Sequence, residues 1–174
     1  GLSNMDRKDL LVNAKLLGYE KVPVSIREFV TNKYYLGNVY GGGSLYPHWL
    51  EALEKVFPTP IHIAYPIVVQ TGAIGTGKST FSKIAALYEY YKLSCLKDPW
   101  KSCGVAKGKT FKFSFQHRTA DLANTDFINS IQTIMQESPF FSNGTGREEA
   151  VIFSAEGERG NKTIGSDTIF YVLS

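Results

Sequence analysis

Apolar residues along this chain recur mostly at helical spacing, broken by a few short runs that alternate or stay apolar throughout. Residues 6–17 place Leu10, Leu11, Ala14 and Leu17 on one face, and Gly18 is a natural helix stop. Ser25-Ile26-Arg27-Glu28 has the form of a capping box. The serine hydroxyl can accept from the glutamate N–H, and the glutamate can reach back to the serine N–H, so a short helix through Phe29 and Val30 should follow. Gly41–Ser44 reads as a flexible link. Pro47 suits the first turn of a helix that turns Leu50, Leu53, Val56 and Phe57 inward, and Pro58 and Pro60 end it.

The second half alternates in character. Tyr65-Pro66-Ile67-Val68-Val69-Gln70 is apolar and β-branched, the pattern of a buried parallel strand, with Pro66 tolerable only at its start. Phe81, Ile84, Ala85, Tyr88 and Tyr91 then return to helical spacing. Residues 92–109 read mostly as connection, and residues 110–115 alternate as a strand. Leu122, Phe127, Ile131, Ile134 and Met135 give a helix over 121–136 that Pro139 stops. Residues 142–146 read as a turn, 150–153 as a short strand, 162–166 as a turn and 169–173 as a strong apolar strand. No segment repeats.

Strands alternating with helices predict a mostly parallel sheet. Between the strand at 65–70 and the helix after it lies Gly72-Ala73-Ile74-Gly75-Thr76-Gly77-Lys78-Ser79, a full G-x-x-x-x-G-K-[ST] phosphate loop. Its glycines let consecutive N–H groups point at one anion, and the helix N-terminus adds favourable charge. Gly72, Gly75, Thr76, Gly77, Lys78, Ser79 and Thr80 are therefore the candidate residues for ATP. Lys78 would reach the β/γ-phosphates as the candidate catalytic residue, and the Ser79 hydroxyl would hold Mg²⁺. The expected fold is an α/β P-loop NTPase core of the RecA/ASCE kind, with a helical N-terminal extension over 1–60 and a partial core over 61–174.

An ATPase of this kind also needs an acidic residue at the end of a neighbouring strand and a carboxylate to activate water. The strand at 169–173 is the best candidate, but Ser174 stands where the metal-supporting aspartate would be expected. A catalytic glutamate at the next position would fall beyond the chain, so the core reads as truncated, able to bind ATP without hydrolysing it well. Glu156 and Glu158, after the weaker strand at 150–153, are the other candidates. A net charge of +3 permits contact with nucleic acid without arguing for it. Cys95 and Cys103 match no zinc or redox spacing and read as reduced thiols. No apolar stretch approaches the roughly 20 residues that span a bilayer, and the first residues lack a secretory-signal pattern.

The chain resembles the large terminase subunit of tailed phages. The resemblance lies in Gly72–Thr80 with the Tyr-rich helix after it, in Pro23–Phe29, Tyr34–Gly37 and Tyr46–Trp49 upstream, and in Ser138–Phe141 and the terminal 169–173 run. It implies an ATP-driven motor that pumps viral double-stranded DNA into a capsid from the cytoplasm of the infected bacterial host. It also implies a ring of subunits docked on the portal, with a small terminase subunit as partner and no membrane. The isolated core can be monomeric where ring contacts depend on the portal. The family's strand normally ends in an Asp-Glu pair, from which Ser174 departs.

Other candidates have bland readings beside the functional one. Gln70 and Thr71 touch phosphate or simply finish a strand. Gln116, His117 and Arg118 form a phosphate sensor, a DNA contact or an ordinary loop. Arg147 or Arg159 acts as an arginine finger or is solvated. Tyr46, Pro47 and Trp49 wall an adenine ring or pack a helix down. Two other functions compete with the motor. One is a small P-loop phosphotransferase, which five arginines without a cluster disfavour. The other is a nucleotide-binding module without turnover.

Overall fold

The computed structural model describes residues 7–73, 75–116, 124–142, 162–164 and 168–173, the last two stretches and 124–126 as backbone. Six helices come first: α1 (Arg7–Leu16), α2 (Ile26–Thr31), α3 (Gly37–Tyr40), α4 (Pro47–Val56), α5 (Lys78–Ser94) and α6 (Pro99–Ser102). Strand β1 (Phe111–Gln116) follows. A wide π-helical turn (Asn124–Asn129) then leads into α7 (Ser130–Glu137) and α8 (Pro139–Ser142). Strands β2 (Lys162–Ile164) and β3 (Thr168–Leu173) come last.

Local chemistry explains the starts of α2 and α6. The Ser25 hydroxyl accepts from Glu28 N–H at 3.2 Å, so one arm of the expected capping box is made. At α6, Asp98 Oδ1 accepts from Lys101 N–H at 3.0 Å and Pro99 opens the first turn. Asp-Pro is a helix-start signal inside a stretch read as connection. That connection starts later than expected, because α5 runs on to Ser94 and buries Lys92. Along α1 only part of the expected face is inward: Ala14 is buried, while Leu11 and Leu17 are about half exposed at 44% and 51%.

The expected P-loop α/β core with a mostly parallel sheet is not found. The described residues are predominantly helical, and β structure is limited to three short strands in the order β1-β3-β2. β1 runs parallel to β3, with Phe111 opposite Thr168 and Gln116 opposite Leu173. β2 runs antiparallel to β3, with Lys162 opposite Phe170. No strand leads into the glycine loop. The run 65–70 is solvent-facing, with Ile67 80% and Val69 82% exposed. Strand formation depends on a partner, and none of the three described strands pairs with this run. Residues 162–164, read as a turn, supply the antiparallel neighbour instead. The expected strand at 150–153 and most of the turn at 142–146 lie outside the described residues; Ser142 ends α8.

The core is aromatic and centres on α5. Phe29 of α2 is fully buried, with ring centroids 5.0 Å from Tyr91, 5.2 Å from Tyr88, 5.5 Å from Tyr35 and 6.3 Å from Phe141. Such tilted and stacked pairs add attraction beyond their buried area. The two tyrosine hydroxyls of α5 hold the chain just before α2. Tyr88 O–H donates to Val24 C=O at 2.7 Å, and Tyr91 Oη accepts from Val24 N–H at 3.0 Å. α7 contributes Ile131, Ile134 and Met135 to the same cluster, and α8 contributes Phe140 and Phe141. Tyr90 stacks on Phe141 at 5.9 Å. On the sheet, Phe115 stacks on Phe127 at 4.8 Å, so β1 turns its Phe side to the core.

Truncating Phe29 removes the hub of this cluster. Phe29→Ala should destabilise the protein by about 3–5 kcal/mol, the usual cost of emptying a buried aromatic site, read as a lowered urea midpoint. A change under about 1 kcal/mol would contradict the packing.

Burial pushes the phenols of Tyr19 and Tyr40 up to about 12 from the usual 10.0, and desolvation drives Tyr88 and Tyr91 upward as well. A phenol that ionises near 10 when unfolded and higher when folded gives its full stabilisation below pH about 10 and loses it as pH climbs towards 12. Absorbance titration should therefore show late phenolate formation that coincides with unfolding between pH about 10 and 12. Smooth titration of all ten tyrosines near 10 without unfolding would contradict the burial.

Candidate functional site

The glycine loop enters α5 directly. Gly72, Gly75 and Gly77 have φ of 142°, 82° and 88°, values that L side chains rarely adopt. Gly77 is the residue immediately before Lys78, and its left-handed backbone turns the chain from the loop into the helix axis. It also has no room for a side chain: a Cβ there would sit 2.7 Å from Trp49 Nε1.

Lys78 folds back over the loop. Its Nζ donates to Gly72 C=O at 2.9 Å, to Ala73 C=O, and to Thr76 Oγ1 at 3.3 Å. Thr76 Oγ1 in turn donates to Ala73 C=O at 2.9 Å. The ammonium is thus held by neutral dipoles. These bonds are charge-assisted through the ammonium, but none of the three partners brings it an opposite formal charge. Ser79 is exposed and Thr80 half-buried in the first turn of α5. The loop thus brings Gly72, Gly75, Thr76, Gly77, Lys78, Ser79 and Thr80 together at one helix end. Ile74 lies outside the described residues.

Trp49 was read from sequence as either a wall for a base or a packing residue. It touches the loop itself: Nε1–H donates to Thr76 C=O at 2.6 Å, and its ring lies 5.5 Å from Phe81. Tyr46 is 60% exposed and stacks on His48 at 5.7 Å. Gln70 lines a groove of about 510 Å³ with Val56, Phe57, Tyr65, Phe81 and Ser82. Thr71 is exposed. Gln116 is exposed at the end of β1.

His117, Arg118, Arg147, Glu156, Glu158, Arg159 and Ser174 lie outside the described residues. Among the described residues, no group of three or more His, Cys, Asp or Glu side chains gathers to hold a metal. No described helix is long and apolar enough to cross a membrane. The sequence reading missed Lys92, which α5 buries beside Glu89 Oε1 at 3.0 Å and over the rings of Phe57 and Tyr88 at 5.4 and 5.7 Å. Its signal was available: Glu89 and Lys92 are three apart on a helix. Cys103 is exposed and Cys95 buried, and burial raises both thiols above their usual range.

No protein-family model, curated protein or solved structure matches this chain.

Proposed function

We propose that this chain is the ATP-binding part of a viral DNA-packaging motor of the large-terminase kind. The observation that carries the reading is Lys78, folded across a loop of three left-handed glycines at the start of a 17-residue helix. That arrangement suits an anion on three counts. The helix N-terminus favours negative charge. The left-handed glycines let loop N–H groups converge. The ammonium is held by two carbonyls and a hydroxyl, and a phosphate would bring it the opposite formal charge that these partners lack.

Gly72, Gly75, Thr76, Gly77, Lys78 and Thr80 would hold the triphosphate, and the exposed Ser79 hydroxyl would ligate Mg²⁺. Bound ATP supplies the phosphoanhydride whose hydrolysis drives translocation. Lys78 neutralises phosphate charge, and the loop backbone fixes the phosphates relative to α5. The resemblance of the upstream segments and the terminal run to phage large terminases supports the rest of the reading. The parent protein acts on double-stranded viral DNA in the cytoplasm of the infected bacterium, as a ring on the portal with a small terminase subunit.

Calorimetry with Mg-ATP tests this. The wild type should bind, and Lys78→Ala should weaken binding about ten- to hundredfold, the range for one charge-assisted contact. Turnover in the parent protein should rise with double-stranded DNA. Equal affinity in the two proteins, or brisk phosphate transfer to a small acceptor that ignores DNA, would contradict the proposal.

A further inference from the structure

We propose that Trp49 is a positioning residue that sets the shape of the phosphate loop from outside it. This rests on the nucleotide reading above for its role in affinity, but not for its role in loop geometry. Thr76 is the residue on which the loop's bonds meet. Its hydroxyl donates to Ala73 C=O at 2.9 Å and accepts from Lys78 Nζ at 3.3 Å, while its carbonyl accepts from the Trp49 indole at 2.6 Å.

The indole is the one bond in this set that comes from another element. The remaining contacts run between residues of the loop and the first turn of α5, so they move with the loop. α4, by contrast, is anchored in the core through Leu53 and Val56. Trp49 is held between that helix and Phe81 of α5, which is itself buried. The indole N–H therefore pins Thr76 C=O to a fixed framework. With that carbonyl turned to Trp49, the peptide between Thr76 and Gly77 is fixed, and with it the direction of the Gly77 N–H.

The space behind the loop fits the same role. A Cβ on Gly77 would lie 2.7 Å from Trp49 Nε1 and 3.1 Å from Cδ1, so the ring fills the position against the glycine backbone. Glycine at 77 thus answers two demands: a left-handed φ of 88° and the approach of the indole. The second is not visible in the loop motif alone.

Backbone order parameters of the ¹⁵N-labelled full chain test the proposal. Trp49→Phe keeps a ring against Phe81 and deletes the N–H. It should lower the order parameters of Thr76 and Gly77 from the rigid range of about 0.85 towards about 0.6. Those near Tyr88 and Tyr91 should not change. Affinity for Mg-ATP should fall about fivefold to tenfold. Loop order parameters equal to wild type, or lowered ones with unaltered affinity, would overturn the proposal.

Should Trp49→Phe fail to fold, the wild type decides. Its Trp49 indole N–H should exchange slowly in ¹⁵N spectra, and free-indole rates would overturn the proposal. If the wild type binds no Mg-ATP, the nucleotide reading fails on its own, and the loop order parameters still decide whether Trp49 shapes the loop.

Discussion

The structure depends on α5 being held in one orientation by the aromatic cluster at its C-terminal half. Its N-terminus presents the glycine loop, and any tilt of the helix would move that loop. Tyr88 and Tyr91 oppose such a tilt twice over. Their rings pack around Phe29, and their hydroxyls take both backbone groups of Val24. Each buried phenol thereby finds a partner for its polar end, which a buried tyrosine needs if its apolar area is to count in favour of folding. The same helix reaches forward through Lys83, whose Nζ donates to Ser130 Oγ at 2.9 Å and links it to α7.

From that fixed helix the site follows with few additions. Gly77 turns the chain into the helix, Lys78 spans the loop, and Trp49 ties Thr76 to α4. The loop is therefore held where it enters the helix, by α5 below and α4 beside it. Lys78, Ser79 and Thr80 lie on the first turn of a long helix, and a rigid element of this kind locates them more closely than a free loop could.

Helices were more legible in the sequence than strands, for a physical reason. The capping serine at 25, the proline at 47 and the periodic apolar residues of α5 act through neighbours three or four positions away. Those neighbours are fixed by the chain itself. The run at 65–70 carries an equally clear strand composition, yet a strand needs a second strand, and none of the described residues pairs with it. In the same way, Lys162-Thr163-Ile164 has no strong pattern but finds β3 as a partner. The glycine loop was legible because its chemistry is local. Trp49 was only half legible: its nearness to Thr76 crosses 27 positions, which no motif spacing records.

The burial of Lys92 is legible only in part. Glu89, three positions back on the helix, is visible as its partner in the sequence, whereas the approach of Phe57 is a tertiary contact that no spacing records. A cation over aromatic faces with a carboxylate beside it is tolerated where an unpaired one would not be.

The most direct test of the central claim is an amide-resonance titration of the ¹⁵N-labelled chain with Mg-ATP. The account predicts large, saturable shifts concentrated at Gly75, Gly77, Lys78 and Ser79, with the α5 amides around Tyr88 and Tyr91 nearly still. Shifts centred elsewhere, or none at saturating nucleotide, would contradict it.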